Sequence, residues 1–343
     1  MIILGIETSC DETSAAIIEA LGNNSKVNLL SNIIATSLSF HTKTGGIIPE
    51  VAAREQIKYI IPVINESLTK ANLKLSNIDA IAVTIGPGLI GSLLVGVETA
   101  KTFSYILQKP IISVNHLFGH MYANFIKDEN LENKEIQFPA LSLIVSGGHT
   151  DLVLIKEHGK IEWLGGTRDD AAGEALDKIG RLLGLTYPAG PLIESLAKKG
   201  DSKKYNFPRP LITSNDFDFS FSGLKTAVLR QVNSLPSLTN IDMENICAST
   251  QKAIIDILIA KTIKAAKKYS VKSILLGGGV AANQTLKDEL KQKINIDLPS
   301  VDLFVPNKKF CTDNAAMIAT AGFFNQQILP WKKTEANPQL YFD

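Results

Sequence analysis

Two stretches of this chain, about 140 residues apart, repeat one pattern of apolar strand, small polar turn and apolar strand. The first runs from residues 2–7 through Thr8-Ser9-Cys10-Asp11-Glu12-Thr13-Ser14 to residues 15–18, and the second from residues 139–145 through Ser146-Gly147-Gly148-His149-Thr150 to residues 151–155. Each reads as a β-hairpin with a functional tip. Helical spacing over residues 50–68, 92–107, 171–183, 243–268 and 314–327 alternates with buried-strand patterns at 78–85, 110–114 and 273–276. A polar stretch, residues 127–137, precedes the second hairpin. The expectation is an α/β chain of two related lobes.

Length supports that division, because 343 residues exceed what one hydrophobic core usually organises. Lys+Arg 35 against Asp+Glu 34 leaves a formal net charge of +1, so a polyanionic partner must be met by a local patch. The start Met1-Ile2-Ile3-Leu4-Gly5-Ile6-Glu7 carries no basic leader and reads as a strand rather than a signal peptide. Nowhere do 18 apolar residues run together, and Cys10, Cys247 and Cys311 form an odd, scattered set. A soluble protein of a reducing, cytoplasmic compartment is expected.

The candidate chemistry begins with His116-Leu117-Phe118-Gly119-His120. Imidazoles four apart lie on one helix face, about 6 Å apart along the axis, within reach of one divalent cation. Asp313, in Cys311-Thr312-Asp313-Asn314, could supply a third ligand and leave open positions for substrate. The plainer alternatives stay open: one histidine capping a helix, the other hydrogen-bonded in a core, and Asp313 as the N-cap of the last helix. A zinc peptidase is not indicated, because Leu117 stands where the glutamate base would follow the first histidine.

Gly86-Pro87-Gly88-Leu89-Ile90-Gly91 formally satisfies G-x-G-x-x-G. Pro87 removes a donor that a pyrophosphate would need, so close helix-to-strand packing is the better reading. Gly277-Gly278-Gly279 followed by Asn283 could admit a purine or ribose, and Ser146-Gly147-Gly148 could bind an anion or carbonyl. Asp170, Glu174 and Asp177 share one helical face without evident compensation, either as a solvated surface or with Asp177 free to bind ribose hydroxyls or an amine. The basic groups Lys198, Lys199, Lys203, Lys204 and Arg209, and Lys264, Lys267 and Lys268, read as solvated surface that could also meet RNA phosphates.

Taken in order, Gly5–Ser14, Gly45-Gly46-Ile47-Ile48-Pro49-Glu50, the Gly86 turn, the histidine pair, Ser146–Thr150, Phe219-Ser220-Phe221-Ser222-Gly223-Leu224-Lys225-Thr226, the Gly277 turn and Cys311–Asn314 resemble one family over residues 1–325. It is the tRNA N6-adenosine threonylcarbamoyltransferases of the bacterial TsaD type, once described as glycoprotein endopeptidases. One departure is visible: many members carry a His shortly after Ala52-Ala53-Arg54, where this chain has Gln56.

The resemblance implies the two-lobed actin, Hsp70 and sugar-kinase fold, each lobe ribonuclease H-like. Lobe boundaries are then expected at 1–115, 116–313 with the metal and nucleotide turns, and 314–343 packing back on the first lobe. It further implies transfer of threonylcarbamoyl from threonylcarbamoyl-adenylate to N6 of adenosine 37 in tRNAs reading codons that begin with A. One metal, Fe2+ or Zn2+, is implied at His116, His120 and Asp313. Ile144, Val145, Ser146, Gly147, Gly148, Asp177, Gly190 and Asn283 are implied as substrate contacts. Asp11 and Glu12 are candidate bases for the N6 proton, or else turn-forming or regulatory residues. Implied partners are tRNA, a paralogous dimerisation subunit of the TsaB type and a small P-loop ATPase of the TsaE type. Two rival readings are an ATP-hydrolysing kinase or chaperone-like member of the superfamily and a non-catalytic scaffold.

Overall fold

The computed structural model describes residues 1–21, 27–127 and 134–342, so part of the polar stretch expected at 127–137 lies outside the described residues. Along the chain the strands are β1 (Ile2–Glu7), β2 (Glu12–Glu19), β3 (Asn28–Thr36), β4 (Ala80–Gly86), β5 (Ile111–Asn115), β6 (Ala140–Val145), β7 (Thr150–Glu157), β8 (Lys160–Gly166), β9 (Ser273–Gly277), β10 (Asp302–Phe304) and β11 (Ile328–Leu329). The α-helices are α1 (Leu38–Thr44), α2 (Pro49–Lys70), α3 (Ile90–Leu107), α4 (His116–Tyr122), α5 (Ala172–Leu182), α6 (Gly190–Ala197), α7 (Ser222–Asn233), α8 (Asn240–Tyr269), α9 (Gln284–Asp297) and α10 (Ala315–Phe324).

The chain divides into two units, Met1–Glu135 with Pro306–Asp343, and Ile136–Val305. In the first, the sheet order is β11-β5-β4-β1-β2-β3, with β1 antiparallel to β2 and parallel to β4. In the second it is β10-β9-β6-β7-β8, with β6 antiparallel to β7 and parallel to β9. Both units therefore place an antiparallel three-strand meander beside two parallel strands, in the same order. The two sequence hairpins are the β1–β2 and β6–β7 pairs. Sequence reading misses the third meander strands, β3 and β8, because these edge strands mix exposed and buried positions and show no apolar run.

The expected boundary after residue 115 falls instead at 135, and Pro306 to Asp313 belong to the first unit. Helix α4 grows directly out of β5 and packs on α10, where Gly119 lies so close to Ile318 and Met317 that a Cβ would meet the Ile318 Cδ1 at 2.7 Å. The histidine pair and Asp313 thus share one unit.

In that unit Leu4, Ile6, Ile17, Ile81 and Val83 of the sheet bury against Ile60, Ile64 and Leu68 of α2 and Val97 and Ala100 of α3. Burying such a side chain stabilises by roughly 1.5–3 kcal/mol. Helix α10 is apolar all round and nearly all buried, which is what a helix central to a unit requires. No helix among the described residues is long and apolar enough to cross a membrane.

Candidate metal centre

The site starts at the end of β5, where Asn115 caps α4 by accepting the Leu117 N–H at 2.8 Å and donates from Nδ2 to the Tyr341 carbonyl at 2.6 Å. The capped helix sets His116 and His120 on one face, their ring centroids 4.7 Å apart. Both are buried. Asp313 Oδ1 lies 3.5 Å from His116 Nε2 and 3.4 Å from His120 Nε2, and one donor atom from each of the three residues falls within 4.8 Å of the others. Two imidazole nitrogens and one carboxylate oxygen at this spacing suit a divalent cation such as iron or zinc.

Asp313 is not the N-cap that its sequence position allowed. Asn314 caps α10, its Oδ1 accepting the Met317 N–H at 3.1 Å, which leaves the Asp313 carboxylate for the histidines. Burial raises the Asp313 carboxyl to about 6, with Glu7 and Asp11 pushing the same way against the pull of His116. Burial opposes charge on His116, yet the carboxylates of Asp313 and Glu7 prevail and raise it to about 9. A pocket that concentrates negative charge around an imidazole is one that a cation would neutralise.

Sequence reasoning missed the groups behind the ligands. Glu7, wholly buried, sets Oε2 at 3.1 Å from His116 Nδ1 and accepts the Thr84 hydroxyl at 2.7 Å, while Ser9 Oγ lies 3.2 Å from the same nitrogen. The available signal was a charged residue closing the apolar run of β1.

The hairpin tip beside this group carries Asp11 and Glu12, with Glu12 the first residue of β2. The Asp11 backbone carbonyl accepts both the N–H and the hydroxyl of Ser37, at 3.1 and 2.9 Å. Burial, then Asp313 and Asp11, hold the Glu12 carboxyl well above the usual carboxylate range. Gln56 clamps the tip: its Nε2 lies 3.3, 3.0 and 3.0 Å from the carbonyls of Thr8, Cys10 and Glu12. The Gly86 turn packs on the same tip, for a Cβ on Gly88 would meet the Ser9 carbonyl at 2.5 Å. The residue 337 carbonyl fills the space beside Gly86.

In the second unit, β6 and β9 run parallel with Ile144 opposite Gly277, so the turns Ser146-Gly147-Gly148 and Gly278–Asn283 emerge side by side. Gly278 has φ +91° and lies against the Val145 carbonyl, where a Cβ would collide. The start of α5 joins them, the Gly173 N–H donating to the Ser146 carbonyl at 3.2 Å. Ile144 to Gly148 and Asn283 are thereby brought together. Asn283 also caps α9 through the Leu286 N–H and donates to Gln251 Oε1, both at 2.9 Å. Asp177 reaches the start of α6 beside Gly190, its Oδ1 accepting the Ala189 N–H at 2.7 Å. Burial raises its carboxyl even against the backbone donors of Ala189 and Gly190.

The acidic face is not uncompensated. Lys178 reaches Asp170 at 2.5 Å and Glu174 at 2.9 Å, and Asp170 precedes the helix. Of the basic groups, Arg209 pairs with Asp256, Lys267 with Asp297, and Lys264 donates to the Ser214 carbonyl. Lys204 lines an open groove of about 540 Å³ with Tyr205, Phe207 and Arg230.

A family model described as tRNA N6-adenosine threonylcarbamoyltransferase (TsaD) matches residues 28–320. Enzymes of that name from Syntrophomonas wolfei and Thermosipho africanus are 49% and 48% identical to this chain, covering 94% and 99% of it and 92% and 99% of their own lengths. The chain belongs to the tRNA N6-adenosine threonylcarbamoyltransferase family. It is accordingly a transferase, and the kinase, chaperone and scaffold readings are set aside. A solved HypF from T. kodakarensis is similar at TM-score 0.60 and 14% identity, over 94% of this chain and 47% of that one, and shows the fold alone. That fold is the actin, Hsp70 and sugar-kinase one, built from ribonuclease H-like sheets.

Proposed function

We propose that this enzyme transfers a threonylcarbamoyl group from threonylcarbamoyl-adenylate to N6 of adenosine 37 in tRNAs that read codons beginning with A, and that His116, His120 and Asp313 hold one divalent metal, Fe2+ or alternatively Zn2+. The observation that carries this reading is the convergence of two imidazoles and a carboxylate within 4.8 Å in a chain of this family. When bound, the cation would supply Lewis-acid polarisation and an anchor for donor oxygens.

The chain's own residues account for the remaining work. The lone pair on N6 of adenine is delocalised into the ring, so attack on the carbamoyl carbon needs a good leaving group and tight positioning. As the N6–C bond forms, the C–O bond to the adenylate phosphate breaks, AMP departs with the electron pair, and the N6 proton passes to a base. Asp11 or Glu12 serves as that base. A carboxyl raised by burial, as Glu12 is, is a stronger base once ionised. Ile144, Val145, Ser146, Gly147, Gly148, Asp177, Gly190 and Asn283 contact substrate, the glycine turns through backbone N–H groups that can approach a ligand closely. The reaction takes place in the cytoplasm, with a TsaB-type subunit and a TsaE-type ATPase as partners.

The test pairs metal analysis of anaerobically purified protein with a transfer assay on unmodified tRNA. Wild type should carry one metal per chain, and zinc at a hundredfold excess over its Kd should stabilise by about 2.7 kcal/mol, some 5–10 °C in Tm. His116→Ala should remain folded while losing both the metal and the modified adenosine. Transfer at the wild-type rate by folded His116→Ala would refute the reading.

A further inference from the structure

We infer that Glu7 is a positioning residue for the metal: it holds the proton of His116 on Nδ1 and so presents Nε2 as the ligand atom. The inference rests on the metal reading proposed above and goes one layer outward from it. Glu7 is wholly buried at the end of β1, an expensive place for a carboxylate unless each oxygen is satisfied. Both are. Oε1 accepts the Ser9 N–H at 2.5 Å, and Oε2 accepts the Thr84 hydroxyl at 2.7 Å and lies 3.1 Å from His116 Nδ1. An ionised carboxylate can only accept, so the contact with His116 requires Nδ1 to carry a hydrogen. In the neutral ring the lone pair then sits on Nε2, the nitrogen that faces Asp313 Oδ1 at 3.5 Å. Ser9 Oγ, 3.2 Å from Nδ1, can share the same hydrogen.

The substitution Glu7→Gln separates this role from mere packing, because the surroundings dictate how the amide must lie. The Ser9 N–H is a fixed donor, so the amide oxygen takes the Oε1 place and the NH2 takes the place of Oε2. There it faces His116 Nδ1 and donates to it, driving the ring hydrogen onto Nε2 and removing the ligand lone pair. The Thr84 hydroxyl can rotate to accept from the same NH2.

The experiment titrates metal-free wild type and Glu7→Gln with zinc against a chromophoric chelator. Wild type should bind one zinc, and Glu7→Gln should bind about 10- to 100-fold more weakly. Excess zinc should restore transfer by the variant. Equal zinc affinities would overturn the inference while leaving the metal reading intact. A wild-type chain that binds no zinc would overturn both. A 15N–1H spectrum of the zinc-loaded wild type needs no variant to fold: a His116 ring proton on Nδ1 supports the inference and one on Nε2 overturns it.

Discussion

Replacing Gln56 by Met tests what holds the first hairpin tip in place. The thioether has nearly the volume of the amide but no donor, so packing is kept while the clamp is removed. Gln56 Nε2 has two hydrogens and three carbonyls in range, of Thr8 at 3.3 Å and of Cys10 and Glu12 at 3.0 Å, so two bonds at a time are lost. At about 1 kcal/mol net for each bond, the gross loss is about 2 kcal/mol. Two details reduce it. The Cys10 carbonyl still accepts the Ser92 hydroxyl at 3.1 Å, and Gln56 Oε1, buried with no hydrogen-bond partner among the described residues, is removed with the amide. The expected cost is therefore about 1–2 kcal/mol, a fall in Tm of about 2–8 °C for a unit of this size. Differential scanning calorimetry, backed by urea midpoints at unchanged m, measures it. A variant at or above wild-type stability would refute the clamp, since it would mean that the orphaned Oε1 costs more than the carbonyl contacts contribute. Gln56→His, which keeps one donor, should fall between.

Gly278→Ala should cost about 2–4 kcal/mol in denaturant midpoint, from left-handed strain at φ +91° and from collision with the Val145 carbonyl; wild-type behaviour would show that the turn relaxes freely. Asp216 gives a pH prediction. The Ser214 hydroxyl, then Lys261, hold its carboxyl at about 2 in the folded chain, below the ordinary 3.8. A depressed folded value stabilises above the unfolded value and is lost as pH falls. Stability from this group should therefore decline between about pH 4 and pH 2, and Asp216→Asn should remove that slope from an acid-unfolding series. Parallel curves for the two proteins would sink the assignment.

Much of the molecule is legible in the residue order because the cues are local. Alternation of apolar runs with small polar turns marks the hairpins β1–β2 and β6–β7, 3.6-residue spacing marks α2, α3, α5 and α8, and a four-residue interval puts two imidazoles on one face of α4. The order of short motifs was likewise enough to indicate the family. The edge strands β3 and β8 escape because half-exposed strands have no run to detect.

What the linear order cannot decide is which distant residues become neighbours. That Asn314 rather than Asp313 caps α10, that Asp313 meets both histidines, and that Glu7 is sealed against His116 all depend on β5 delivering α4 onto α10 beside the open end of β1. The same packing moves the unit boundary from residue 115 to 135. Hydrophobic periodicity encodes each element's buried face but carries no address for its partner, which is set only when the sheet order and the helix seated on it are chosen together.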